Sequence, residues 1–367
     1  MLKNAVKLAI SLGLAVVFFL LFSLAASRLH DGVITRQKRM ADKGIYVTGY
    51  MVQTPRVFNK IKAAAKAAGI NTFVVDAKMF LEKELIEAAK QKNIKADFRV
   101  TPSEKFAKIV KELHAEGFIV SARIVVFKDD HLVIARPDLS VKKKDGQLYR
   151  DLKMGRWADP YSPEVQLYNQ LIAERAALSG ADEVQFDYVR FPAERGAKEA
   201  VYPGYDETLT KVDVITGFLA GTRARLKKYN TSIAVDIFGV TAWQSKVDIT
   251  ALGQDLKRMA KYIDVISPML YPSHFHNGYD GFANPGAEPY YFLNKGVLQT
   301  LEILSGEAVR VVPWIQGFNM KSPNYGPEYI REQIRACRDN KVNGFLVWNA
   351  RNDYTTTFQA LFNYDIN

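Results

Sequence analysis

Two aspartates stand where a strand should be apolar. Asp187 lies in GADEVQFDYVRFP (180–192) and Asp236 in SIAVDIFG (232–239), each flanked by Val, Ile or Phe. Carboxylates at matching depth on neighbouring strands can flank a glycosidic bond. One, kept protonated, assists the leaving oxygen, while the other, ionised, serves as nucleophile or base. Environments that push the two pKa values apart divide those roles. If Arg190 folds back onto Asp187, Asp187 becomes the nucleophile or stabiliser and Asp236 the acid.

Other residues collect around this pair. Strand alternation directs Asp76, Tyr271, Trp314, Gln316 and Trp348 to the same side, and Arg190, His274 and Asn349 stand at or just beyond the strand ends. Aromatic faces with carboxylates and amides suit a pyranose, which has an apolar face and a rim of hydroxyls. The same alternation aims Tyr188 at packing and Val189 inward. The bland alternatives are an inward aspartate bonded to the next strand and tryptophans that are simply core. A barrel that binds glycan without cleaving it is the competing reading of the whole set.

Metal and Schiff-base chemistry find less support. His274 and His276 form H-x-H, but His30, His114 and His131 stand at no late strand end. Lys78 beside Asp76 reads as a charged partner rather than a nucleophile. No cofactor is expected.

The elements that must position these residues alternate. Strand-like runs occur at 44–50, 71–78, 118–127, 183–192, 232–239, 265–272, 309–318 and 343–349, separated by helix-like segments at 55–68, 103–116, 163–179, 208–229, 249–261, 290–305 and 327–340. Thr54 before Pro55 and Ser162 before Pro163 read as helix starts, and Gly69, Gly117 and Gly180 as stops. Eight strands without a hairpin signature argue for a parallel sheet closed as a (β/α)8 TIM barrel, with an open doubly wound sheet as the alternative. No G-x-G-x-x-G follows the first strand, so a dinucleotide site has no basis. Two connections, 128–162 and 272–289, are longer than a barrel needs, and both leave the C-terminal strand ends where barrels build their sites.

Composition and charge bound the rest. Of 367 residues 48% are apolar, enough for a large core, and the single Cys337 excludes an intramolecular disulfide framework. The net charge of +11 is uneven, with Lys3, Lys7, Arg28, Arg36, Lys38 and Arg39 against Asp31 in the first 40 residues. The run Lys142 to Lys144 lacks interleaved aromatics, which argues against nucleic acid; it reads as a solvated loop with a weaker attraction to an anionic polymer. Residues 8–27, LAISLGLAVVFFLLFSLAAS, carry no charge and at about 1.5 Å per residue can cross a bilayer core. They exceed a usual signal h-region, so an uncleaved anchor is favoured over a cleaved signal. Residues 1–27 are thus an N-terminal transmembrane or signal segment, 28–43 a basic linker and 44–367 the barrel. Basic residues after the span outnumber those before it, against the positive-inside rule, yet a short tail before a signal-like segment favours an extracytoplasmic domain.

In that order, VQFDYVRFP, SIAVDIFG, SPMLYPSHF, PWIQGF and LVWNARNDY resemble the glycoside hydrolase domain family DUF4015 from about Gly44 to Tyr354. The resemblance implies a TIM barrel and an extracytoplasmic poly- or oligosaccharide as partner. It also implies Asp187 and Asp236 at the family's fourth- and fifth-strand carboxylate positions. An acidic residue is implied where this chain has Gly317, so one site carboxylate is missing here.

Overall fold

The strand-like runs are rich in β-branched and aromatic residues and end at polar turns, as half-buried or buried strands require. A computed structural model describes residues 39–362 and 364, apart from 195 and 244. The barrel strands are β1 (Lys43–Val47), β2 (Thr72–Asp76), β3 (Ile119–Val125), β4 (Glu183–Asp187), β5 (Ser232–Phe238), β6 (Val265–Met269), β7 and β8 (Phe345–Trp348). β7 comes in two pieces, Arg310–Val311 and Trp314–Gln316. Between them Pro313 has no N–H to give the ladder. The backbone still bonds through the break: Val312 N–H donates to Ile266 O and Leu346 N–H to Pro313 O, both at 2.9 Å.

All neighbours pair in parallel, and β8 returns to β1 with Lys43 opposite Phe345, closing the cylinder. An open sheet is therefore ruled out. Closure sorts the side chains. Val184, Phe186, Ile233, Val235 and Ile237 join the core between strands and helices. Tyr46, Val74, Ala234, Val265, Trp314 and Leu346 fill the interior.

The expected helices form at Pro55–Ala67, Glu104–Ala115, Pro163–Leu178, Lys211–Leu226, Pro289–Ile303 and Pro327–Asp339. Ser162 caps its helix by accepting from Val165 N–H, whereas the Thr54 hydroxyl instead donates to Tyr50 O. Gly69, Gly117 and Gly180 take the left-handed backbone (φ 73°, 90° and 94°) that ends helices. The segment expected as one helix over 249–261 is two, Lys246–Leu252 and Leu256–Ala260, because Gly253 turns left-handed at φ 77°. Helices Lys78–Leu81, Lys83–Lys90, Asp130–Ala135 and Thr355–Leu361 were not legible as periodic segments.

The long connection 128–162 is structured. It holds a short helix and a strand, Lys142–Lys143, that pairs antiparallel with Ala200–Val201. The lysine run is therefore half of a small ribbon. The connection 272–289 carries three single turns of 3-10 helix.

The apolar segment 8–27 and most of the linker lie outside the described residues. Among the described residues no helix is long and apolar enough to cross a membrane. The linker's end belongs to the barrel. Ala41 is fully buried, and Arg39 pairs with Asp182 at 3.3 Å.

Candidate active site

On β4 the inward set is Glu183, Gln185 and Asp187; on β5 it is Ser232, Ala234 and Asp236. Register sets Gln185 opposite Ala234, so the two aspartates arrive near the same mouth. Both are buried, Asp187 at 5% exposure and Asp236 at 2%, yet both line one pocket of about 320 Å³ at the C-terminal strand ends.

Their surroundings differ. Asp236 Oδ1 accepts from Trp314 Nε1–H at 2.6 Å and from Gln185 Nε2–H at 2.7 Å. Burial pushes the Asp236 pKa well above the usual carboxylate range and the charge of Asp187 adds to this, while Trp314, Arg123 and Gln185 pull the other way. Asp187 Oδ2 instead meets Arg123 at 2.5 Å, and its Oδ1 accepts Tyr188 N–H at 2.7 Å.

Arg123, on β3, is the cation in contact with Asp187. Burial alone would lower its pKa, but Asp187 and then Asp76 outweigh that and raise it. It reaches Asp76 at 3.3 Å and lies over the Trp348 and Tyr46 rings, 5.0 and 5.4 Å from their centroids. Tyr46 donates to Asp76 at 3.2 Å, so Asp76 buttresses Arg123. The sequence carried a signal for Arg123, since in FIVSARIVVF it is the one charged residue and falls in register with Ser121 on the inward side.

Several expectations need correcting. Arg190 does not fold onto Asp187. It pairs with Glu194 at 2.9 Å, donates to Phe191 O, and lies against Trp157, Tyr188 and Phe238 on the pocket wall. Tyr188 is not merely packing. Its backbone turns left-handed at φ 53°, which ends the alternation, brings Tyr188 to the pocket and sends Val189 into the helix-side core. Lys78 pairs with Asp129 at 2.7 Å instead of Asp76, because the chain enters a helix at Lys78 and leaves the inward face.

The aromatic and amide set divides. Tyr271, His274 and Trp348 line the pocket with Phe238. Trp314 is 1% exposed and acts as a donor to Asp236 rather than as a platform. Gln316 is fully buried: its Nε2 donates to Phe318 O and Ser322 Oγ, both at 3.0 Å, and its Oε1 accepts Ser273 N–H. It therefore ties two loops together and offers a ligand nothing. Asn349 Nδ2 donates to Gly317 O and Asp353 O, both at 2.7 Å, so its amide holds the loop after β8. It borders a second groove of about 520 Å³ that shares His274, Trp348 and Lys153 with the pocket.

Gly317 explains why no acid stands there. A Cβ would come 2.4 Å from Val347 Cγ1 and 3.0 Å from Trp348 O, on the side away from the pocket.

Residues 44–354 match the family described as "Putative glycosyl hydrolase domain". No curated protein matches. A hypothetical protein from Ruminiclostridium thermocellum ATCC 27405 is 30% identical, covering 52% of this chain and 96% of its own, with a TM-score of 0.42. The PgaB (BpsB) glycoside hydrolase domain from Bordetella bronchiseptica is 14% identical over 88% of this chain and 98% of its own, with a TM-score of 0.61. The hyperthermostable endo-1,4-β-D-mannanase from Thermotoga petrophila RKU-1 is 13% identical over 86% and 92%, with a TM-score of 0.55. The latter two share the fold.

Proposed function

We propose, from the premise that this chain belongs to that glycosyl hydrolase domain family, that it hydrolyses an oligo- or polysaccharide with Asp236 as general acid and Asp187 as its charged partner. The observation that carries this is the unequal pair: two carboxyls in one aromatic-walled pocket, one among neutral donors and one on a guanidinium. Asp236 holds the proton that a leaving glycosidic oxygen needs. Its Oδ1 already accepts two N–H groups, which leaves Oδ2 to carry and deliver that proton. Asp187, opposite in charge to the developing oxocarbenium ion, stabilises it or attacks it. Arg123 and Tyr188 N–H hold Asp187 in one orientation, which preorganises it for that task. Tyr271 and Trp348 provide the apolar surface for the sugar ring, and His274 a polar contact at the rim.

One observation favours the non-catalytic alternative, a glycan-binding barrel. Both oxygens of Asp187 are engaged by protein donors. A panel of polysaccharides incubated with the wild-type chain, Asp187→Asn and Asp236→Asn separates the two. Product from wild type and from neither variant supports hydrolysis. Equal product from all three removes Asp187 and Asp236 from the reaction, and retention of glycan without turnover selects the binding barrel. The extracytoplasmic, membrane-anchored location belongs to the same proposal, supported by the uncharged segment 8–27.

A further inference from the structure

The acids lining the pocket are matched from within. Asp187 has Arg123 at 2.5 Å, Asp151 has Lys128 at 2.6 Å and Glu194 has Arg190 at 2.9 Å. Asp236 is kept neutral by burial. Lys153 lines both the pocket and the neighbouring groove, yet among the described residues no carboxylate comes within ion-pair distance of its ammonium. Arg351 on the same groove, and Lys321 on the stretch continuing past Asn319, stand likewise unmatched. His274 faces the cleft but is surrounded by protein; that desolvation, and then Lys153 and Lys321, lower its pKa to about 4. Both lysines therefore act on the wall between pocket and groove. Asp353 is the one carboxylate on the groove, and its Oδ1 is taken by the N–H and hydroxyl of Thr355.

A cleft whose pocket acids are each paired or held protonated, and whose unpaired charges are three cations against the single carboxylate Asp353, favours an anionic ligand. We infer that the glycan taken by this cleft is polyanionic, with its carboxylate or phosphate groups seated on Lys153, Arg351 and Lys321 beside the carboxyl pair. The inference rests on the hydrolase reading of the same cleft and adds the class of polymer. Arg351 suits a bidentate carboxylate or phosphate contact, whereas the lysines act as point charges.

The test measures binding and cleavage separately. Binding of the purified full chain is measured with polygalacturonate, with the same polymer after carboxyl reduction, and with a glycerol phosphate polymer. Asp236→Asn is run in parallel, so that binding is read without turnover. Expected is binding to one of the charged polymers at least tenfold tighter than to the reduced one. It should weaken about tenfold in Lys153→Ala and in Arg351→Ala, and return in Lys153→Arg, as loss of single charge-assisted contacts predicts. Preference for polygalacturonate identifies the anion as carboxylate, and preference for the other polymer as phosphate. Equal binding of charged and reduced polymer overturns the inference, as does binding unchanged in the Lys153→Ala, Arg351→Ala double variant or no binding of either polyanion. Cleavage of a neutral glycan with no dependence on Lys153 also overturns it, while leaving the hydrolase proposal standing. Charge-dependent binding with no turnover does the reverse.

Discussion

Glu183 and Asp187 lie on the same inward face of β4, one at the bottom of the barrel and one at its mouth. Glu183 is fully buried, and its partners are neutral: Ser121 Oγ–H at 2.8 Å, Ala41 N–H at 3.2 Å and Ser232 Oγ–H at 3.3 Å. Burial pushes it up to about 7, against the pull of those hydrogen bonds and of Arg310. Asp187 has a guanidinium in contact and a pocket before it. The same residue class on one strand thus becomes a weakened acid bonded by neutral donors where residues 39–42 seal the barrel, and a carboxyl paired with a cation where the end stays open. What separates structure from chemistry here is the partner and the access, more than the acid.

That contrast can be broken most severely at the mouth. Asp236→Asn should lower the hydrolysis rate by about 10²- to 10⁴-fold, the usual worth of a positioned acid. Thermal unfolding should barely move, since an Asn oxygen still accepts from Trp314 and Gln185. A rate within threefold of wild type on a cleaved glycan would remove Asp236 from the mechanism.

Arg123→Met tests whether Asp187 depends on its cation. Losing one side of a buried pair leaves an uncompensated charge, and urea unfolding should show about 3–5 kcal/mol of destabilisation at neutral pH. A loss below about 1 kcal/mol would mean that Asp187 is solvated through the pocket, against the pairing described above.

At the bottom the sign reverses. The folded pKa of Glu183 lies above its unfolded value near 4.5, so stability from the protonated acid is complete below that value and lost as pH rises through about 7. Glu183→Gln cannot ionise. It should match wild type at pH 4 and exceed it by on the order of 3 kcal/mol at pH 8, read by denaturant titration at both pH values. Equal stability at pH 8 would show that burial does not raise the Glu183 pKa.

The smallest effect belongs to Trp314→Phe. The variant removes a donor that favours the ionised form of Asp236, so the alkaline limb of the activity profile should move to higher pH. The accompanying rate loss should be roughly tenfold, about one hydrogen bond. A limb moving to lower pH would assign that titration to another group.

Much of this arrangement was legible in the residues. Period-2 alternation in VQFD and AVDI placed both aspartates inward, and Pro and Ser starts with Gly stops bounded the helices. It failed where the backbone left the regular strand. At Tyr188 one left-handed residue exchanged the fates of Tyr188 and Val189, and at Lys78 an early helix carried the lysine to Asp129. Amides were misjudged for another reason. Gln316 and Asn349 have the chemistry of ligand contacts, but their loops left backbone groups unpaired, and those were nearer than any ligand.

The sequence by itself determined the order of eight strands, the parallel pairing that their alternation with helices argues for, and the facing of Asp187 and Asp236. These follow from local period and covalent spacing. That the sheet closes rather than staying open came from the pairing of β8 with β1. Only the tertiary structure decided that Arg123 rather than Arg190 pairs with Asp187, that Trp314 serves Asp236 as a donor, and that Lys153 and Arg351 line one groove. Each of those depends on which strand and loop ends barrel closure brings together, which is invisible to the chain's own periodicity.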